Sequence, residues 1–306
     1  MRVLLAGTPA IVIPLFEKVL RSDIEVAGVI TNPPKPRGRS GKPEDSAVAQ
    51  WAKNEGVALF DSGKIEEIEP LLSAVDCVFV VAFGKLIPKK FLDLPRRGWI
   101  NLHFSTLPEA RGAAPVHHLI ASGRDKIGYT LFKLNEGMDT GPIHFRSEQI
   151  DINSMSTGEV WDLLVQKAAS DIVPNLRLIH EGHTPFNQEE YFGDIALAPK
   201  ISPEQARINW DESAPVIAQK IRAFNPTPTA WTKFREQRFL IHAATSVIKN
   251  GDLIKPGQLL LETNQVFVGS SDGLLSLQEV QPFGGRKMSA AAWANGSRIE
   301  IGESFD

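Results

Sequence analysis

Cysteine is almost absent from this chain: one residue, Cys77, stands among 306. A single thiol cannot close an internal disulfide, so the fold must rest on its core, as suits a reducing compartment. Long apolar runs are missing too. No stretch approaches the ~20 residues of a membrane-spanning helix, and Met1-Arg2 leads straight into Val3-Leu4-Leu5-Ala6, leaving no room for a signal peptide. Excess charge of one sign is lacking. The formal net charge is −3, and residues 205–306 carry 11 Lys/Arg against 10 Asp/Glu, which excludes a globally basic nucleic-acid binder. Any polyanion contact must come from a local patch. After Gly7-Thr8-Pro9 the later glycines of a dinucleotide fingerprint are missing, and no Gly-Lys-Ser/Thr phosphate loop occurs, so neither NAD nor ATP use is supported. No His, Cys or carboxylate set has metal-ligand spacing, and no metal is expected. A soluble, cytoplasmic protein, expected to be monomeric, fits these absences.

What is present is a regular alternation. With 42% hydrophobic and 23% charged residues over 306, the chain can bury a sizeable core, and two domains are expected. Val3–Ala6, Val26–Ile30, Val57–Phe60 and Cys77–Ala82 read as strands, separated by helical patterns at Pro9–Leu20, Ala47–Asn54 and Ile65–Leu72. Strands and helices in this alternation imply βαβ units and a mostly parallel sheet covered on both faces. Ile100–His103 and Ile127–Leu134 continue the strands, with a helix at Pro115–Ala121 between them, and Thr157 to His180 is the longest helical pattern, capped by Ser156 or Thr157 with Glu159 nearby. Gln188 to Gln205, with Tyr191, Phe192, Pro199 and Pro203, has no sustained period and reads as a linker. Beyond it come a helix near Ala214–Phe224 and short strands at Phe239–Ala243, Gln258–Leu261, Gln265–Gly269 and Gly273–Val280. The fold class is α/β: a doubly wound, mostly parallel, Rossmann-like sheet followed by a small OB-like β-barrel. Residues 1–189, 190–206 and 207–306 are the expected first domain, linker and second domain.

The chemistry concentrates between Asn101 and Gly141. Residues two apart on a strand share a face, so Asn101 and His103 are presented together. A lone histidine is more often a satisfied polar group in a turn. An asparagine two residues earlier and the Gly137-Met138-Asp139-Thr140-Gly141 turn further on shift that balance. An amide donor, an imidazole and a carboxylate can stabilise an oxyanion and move a proton. Asp139 is expected at the carboxyl end of the strand next to His103. His117, His118, His180 and His183 read as surface or packing residues, and Trp210 and Trp231 as packing in the second domain. Lys35-Pro36-Arg37-Gly38-Arg39-Ser40-Gly41-Lys42 is a basic loop, usually a solvated feature.

Taken together in order and spacing, Gly7-Thr8-Pro9, Val81-Ala82-Phe83-Gly84-Lys85-Leu86-Ile87-Pro88, Asn101-Leu102-His103, Ser105-Thr106-Leu107-Pro108, Arg111-Gly112-Ala113-Ala114-Pro115, the Asp139 turn, Arg222 to Ala230 and Lys287-Met288-Ser289-Ala290 resemble the 10-formyltetrahydrofolate-dependent formyltransferases over nearly the whole chain. Departures occur at Phe104, Thr106, Glu109 and Ala110, and they leave the Asn101, His103 and Asp139 triplet intact. The resemblance implies formyl transfer from 10-formyltetrahydrofolate to the α-amino group of methionine carried on initiator tRNA. It implies catalytic roles for Asn101, His103 and Asp139, with Asp139 favouring protonated His103. A folate-side wall would come from Phe83, Gly84, Leu86, Ile87, Pro88, Ser105, Leu107 and Pro108. Contacts to tRNA would come from Lys35, Arg37, Arg39, Lys42, Arg286 and Lys287, with Lys249 as a further candidate in the second domain. An enzyme formylating an amino-sugar nucleotide would share the triplet; the basic loop and the second domain favour tRNA.

Overall fold

The computed structural model describes residues 1–36, 41–189, 193, 195–247, 254–300 and 302–306. Contacts group the chain into two compact units: Met1–Pro115, Ile127–Ile150 and Trp161–Ala198 in one, Val116–Lys126, Asp151–Val160 and Pro199–Asp306 in the other.

The first unit is built on a seven-stranded sheet. Its strands are β1 (Arg2–Ala6), β2 (Glu25–Thr31), β3 (Leu59–Asp61), β4 (Cys77–Val81), β5 (Trp99–His103), β6 (Thr130–Lys133) and β7 (Ile143–Arg146), in spatial order β7-β6-β5-β4-β1-β2-β3. The β1, β2, β3, β4 and β5 pairings are parallel, whereas β6 and β7 join antiparallel. All five residues of β4 are buried, as a continuous apolar run at the centre of a two-sided sheet requires. Helix α1 (Ile13–Leu20) follows a single 3-10 turn at Ala10–Val12, and α2 (Ala47–Asn54) has its N-terminus capped by Ser46, whose Oγ accepts from the Ala49 amide at 3.0 Å. Helix α3 covers Pro115–Ala121 and, after its first residue, belongs to the second unit. The long helix α4 (Thr157–Glu181) starts on a capping box: Glu159 accepts from the Ser156 amide and hydroxyl, both at 2.7 Å. The mostly parallel Rossmann-like sheet expected from the alternation is present. Its missed strand is β7, whose four residues follow a Gly-Pro pair that hides their period.

The second unit holds α5 (Ala214–Phe224) and a six-stranded antiparallel sheet. Strands β8 (Ala230–Phe234), β9 (Gln237–Val247), β12 (Leu274–Gln281), β11 (Gln265–Gly269) and β10 (Leu259–Glu262) run side by side in that order, with β13 (Met288–Ser289) added to β12. Irregularities between Ile241 and Ala244 bend β9, the longest strand. Its core is aromatic. Phe239 packs against Trp293 of α6 (Ala290–Ser297) at 4.6 Å between centroids and against Phe305 at 5.1 Å, and Trp210 stacks on Phe305 at 5.5 Å. Trp210 is thus a packing residue, while Trp231 lies half-buried with the Arg207 and Arg238 guanidinium groups over its ring. Among the described residues no helix is long and apolar enough to cross a membrane.

Removing the centre of that aromatic cluster tests its weight. Phe239→Ala is expected to cost about 3–5 kcal/mol, since it deletes a wholly buried ring and leaves a cavity. Urea unfolding followed by tryptophan fluorescence measures it; a loss under ~1 kcal/mol would show that the cluster is not the core.

Candidate active site

Strand alternation puts Trp99, Asn101 and His103 on one face of β5 and Ile100 and Leu102 on the other. The register sets Asn101 between Val80 and Phe132, and His103 opposite Thr130. His103 is buried, its ring edge-on to Phe132 at 6.3 Å between centroids. Its Nε2–H donates to the Ala110 carbonyl at 3.0 Å, and because a carbonyl only accepts, the neutral ring carries its proton on Nε2. Nδ1 faces Asp139 Oδ2 at 3.7 Å, beyond a hydrogen bond but within strong coulombic reach. Burial pushes the His103 pKa below its ordinary value, outweighing the Asp139 charge and the Ala110 hydrogen bond, which pull it up. Asp139 favours the protonated ring, as expected, but burial outweighs it. The resting ring is neutral, and Asp139 stabilises the cation once Nδ1 has taken a proton.

Asp139 reaches His103 by a route that the linear spacing does not show. Because β6 is antiparallel to β5, its first residue, Thr130, lies beside His103 and its last, Lys133, beside Ile100. The carboxyl end of β6 therefore points away from His103, and the loop after it has to double back. Gly141 permits the fold: a Cβ there would sit 1.7 Å from the Lys133 carbonyl oxygen. Asp139 itself adopts φ +51°. Its Oδ2 accepts from the Gly112 amide at 2.7 Å, and the Gln188 amide donates to the Asp139 and Gly141 carbonyls, both at 2.8 Å. Arg111 in turn donates to Gln188 Oε1 through Nη2 at 2.6 Å. Gly112 has φ +126°, and a Cβ there would meet the Ala198 carbonyl oxygen at 2.6 Å. The chain on that side is the Ile195–Ala198 stretch, bonded to Ala110, Arg111 and Ala114 by four backbone hydrogen bonds of 2.7–3.2 Å. Gln188 and this stretch carried no periodic signal and read only as part of a linker.

Asn101 is half-buried, and its side chain has no hydrogen-bond partner among the described residues. An amide N–H beside a neutral imidazole is a ready donor to an oxygen that gains negative charge.

The other expected positions separate into two kinds. Beyond β4 the chain turns through Ala82 (φ +45°) and Gly84 (φ +71°). Leu86 is 85% exposed, Gly84 and Pro88 are exposed, and Ile87 is half-buried against the core. These residues offer surface. Phe83 turns inward beside Trp99, and its carbonyl accepts from Asn32 Nδ2 at 3.2 Å; Asn32 also bonds Thr8 and Ser62. Ser105 and Leu107 are wholly buried too. Thr130 Oγ1 donates to the Ser105 carbonyl at 2.7 Å and accepts from the Leu107 amide at 3.0 Å, while Ser105 Oγ donates to the Glu109 carbonyl at 2.6 Å. Their side chains hold the loop that aims Ala110 at His103 and present no surface for a ligand. Pro108 is half-buried.

Of the basic residues, Lys35 and Lys42 are exposed, Lys35 across a two-residue ladder from Glu44, and Arg37, Arg39 and Lys249 lie outside the described residues, as do Tyr191 and Phe192. Arg286 and Lys287 are exposed in the turn after β12, with Lys287 paired to Glu279 at 2.5 Å. His117 and His118 bond the Thr227 and Pro199 carbonyls, and His180 faces Asp76 at 3.2 Å.

The depressed histidines set a pH dependence of stability. His103 and His144 have folded pKa values below the ordinary 6.5, that of His144 at about 4. The unfolded chain therefore binds protons that the folded one refuses, and stability present above pH 6.5 is lost as the pH falls towards the folded values. The urea midpoint is expected to fall between about pH 6.5 and 5, before the carboxylates titrate, and the slope to flatten in His144→Gln. A midpoint independent of pH in that window would refute the assignment.

The formyl transferase profile matches residues 1–175, and the profile of the formyl transferase C-terminal domain matches residues 200–298. A methionyl-tRNA formyltransferase from Salinispora arenicola is 37% identical over 307 aligned positions, covering 99% of each chain. Among solved structures, HypX from Aquifex aeolicus in complex with tetrahydrofolic acid shares the fold at TM-score 0.68 and 17% identity. The alignment covers 99% of this chain and 48% of that one. The methionyl-tRNA formyltransferase from Clostridium thermocellum shares it at TM-score 0.57 and 22% identity, over 83% and 96% of the two chains. Matched in both halves, and aligned end to end with a relative of this identity, the chain belongs to the formyl transferase family.

Proposed function

We propose that the protein transfers the formyl group of 10-formyltetrahydrofolate to the α-amino group of methionyl-tRNA, with initiator tRNA as acceptor, and that it works as a cytoplasmic monomer. The observation that carries the reading is the buried, neutral His103 with Asp139 behind it and the unpartnered Asn101 amide on the same strand face. The full-length relatives named methionyl-tRNA formyltransferase favour this acceptor over an amino sugar.

The chemistry follows from the residues. A free α-amino group has a pKa near ~8, so a useful fraction is neutral at physiological pH. His103 Nδ1 takes the proton that the amine loses as it attacks, and returns one to the leaving nitrogen, a contribution worth about 10²–10⁴ in rate. Asp139, 3.7 Å from that nitrogen, stabilises the transient imidazolium. The Asn101 N–H binds the charge that develops on the formyl oxygen. The exposed Leu86, with Gly84, Ile87 and Pro88, supplies the apolar wall for a pterin-bearing donor, backed by Phe83, Ser105, Leu107 and Pro108.

For the acceptor, Lys35, Arg37, Arg39 and Lys42 contact phosphates, and Arg286 and Lys287 add a second contact, since an exposed pair such as Lys287–Glu279 costs little to exchange. On this reading residues 1–189 are the catalytic domain, 190–206 the linker and 207–306 the tRNA-binding domain.

A transfer assay with 10-formyltetrahydrofolate and Met-tRNA tests the proposal, with amino-sugar nucleotides as competing acceptors. Formyl-Met-tRNA is expected; sugar formylation alone would sink it. Asn101→Ala should lower kcat about 10²–10³-fold, the usual cost of one oxyanion donor, and His103→Ala should abolish turnover with tRNA binding retained. If either variant kept near-normal kcat, its role would be withdrawn. Arg39→Ala should raise the KM for tRNA with kcat unchanged.

A further inference from the structure

Five buried side-chain nitrogens that lack a hydrogen-bond partner belong to three basic residues of the first unit: Arg97 Nε, both ring nitrogens of His144, and Nε and Nη2 of Arg146. Buried donors are nearly always satisfied, and even with one ring nitrogen of the neutral His144 counted as a donor the set calls for an acceptor. Arg97 and His144 share one neighbourhood at the outer edge of the sheet, whereas Arg146 stands opposite Thr130 at the far end of β7. Strand β7 is bridged to the segment after α4 by two hydrogen bonds between Ile143 and Phe186, at 2.7 and 2.9 Å. The segment brings His183 beside His144, ring centroids 6.5 Å apart, and the Arg146 guanidinium lies over the Phe186 ring at 5.2 Å. Lys133 runs across Gly98, so close that a Cβ there would meet its Cε at 2.5 Å, which puts it next to Arg97. Arg97 is anchored by Nη2 donating to the His180 carbonyl at 2.8 Å.

Among the described residues, none forms an ion pair with Arg97, Lys133 or Arg146, and Asp76 is already engaged by the Arg2 amide and by His180. His144 is only 9% exposed. Its pKa is held at about 4 by burial first and then by His183, Lys133 and Arg97, which shows how closely these groups act on it.

We propose that Arg97, Lys133, His144 and His183 form a binding site for a phosphate-type oxyanion. A tetrahedral oxyanion offers enough lone pairs to accept from several converging N–H groups, and guanidinium groups match its geometry in two-point contacts. Lys133 and His144 stand immediately before and after the loop that carries Asp139. An oxyanion held by both ties the two ends of that loop together, away from Asn101 and His103 themselves. The site goes beyond the transfer reading and does not depend on it.

The test is nuclear magnetic resonance of the full chain with labelled histidine rings. Inorganic phosphate is titrated in at constant ionic strength, with chloride as the control. Saturable shifts of the His144 and His183 ring signals are expected with phosphate and not with chloride. Affinity should fall about tenfold in Arg97→Gln and in Lys133→Gln, the loss of one charge-assisted contact. The remaining histidine signals report whether each variant is folded. No saturable shift, an equal shift with chloride, or undiminished affinity in both folded variants would overturn the site. Uncharged tRNA added to the phosphate-bound protein separates the sources: displacement assigns the oxyanion to an RNA backbone, and retention assigns it to a free phosphate.

Discussion

The hydrogen bond from the Gly112 amide to the Asp139 carboxylate is the contact on which the site hangs. It joins two loops that the chain has no other local reason to bring together. One follows β5 and wraps through Ser105, Leu107 and Ala110; the other follows β6 and must reverse over Gly141. With that bond made, a carboxylate oxygen stands 3.7 Å from His103 Nδ1 while the Ala110 carbonyl fixes the far side of the ring. The imidazole is then gripped from both ends. Gln188 and the Ile195–Ala198 stretch lock the arrangement from outside.

Burial decides what this grip does electrically. A carboxylate beside an exposed histidine favours the charged ring. Here desolvation wins, and the ring waits neutral with a free lone pair at Nδ1. That is the state a proton acceptor needs, and the carboxylate contributes only after the proton moves. Asn101 completes the set because it is left unpartnered. An amide spent on a backbone group would not be available to a developing oxyanion.

The sequence made some of this legible. Apolar runs separated by amphipathic helices gave the parallel part of the first sheet, and α2, α3 and α5 keep the bounds read from their periodicity. The two-residue spacing of Asn101 and His103 on β5 correctly put them on one face. Less legible were elements whose stability comes from partners distant in the chain. Strand β7 is short and follows Gly141-Pro142, and β8 abuts the Pro-rich turn at residues 225–228. The side chains of Phe83, Ser105 and Leu107 sat among plausible wall residues, yet all three are spent on internal packing and loop bonds, a distinction that depends on burial.

By itself the sequence determined the kind of sheet, the strand-rich second unit, and the residue types available for acyl chemistry. Local periodicity and strand alternation need only neighbours in the chain, so they can be read from it. Tertiary structure decided the rest: the antiparallel turn of β6, the doubled-back loop that delivers Asp139, the neutral state of His103 and the free amide of Asn101. Each depends on groups tens of residues apart meeting in a low-dielectric interior. The Asn101, His103 and Asp139 triplet could be singled out from its residue types and the family resemblance, whereas the neutral resting state of His103 could not, because a pKa is set by what surrounds a group and not by what precedes it.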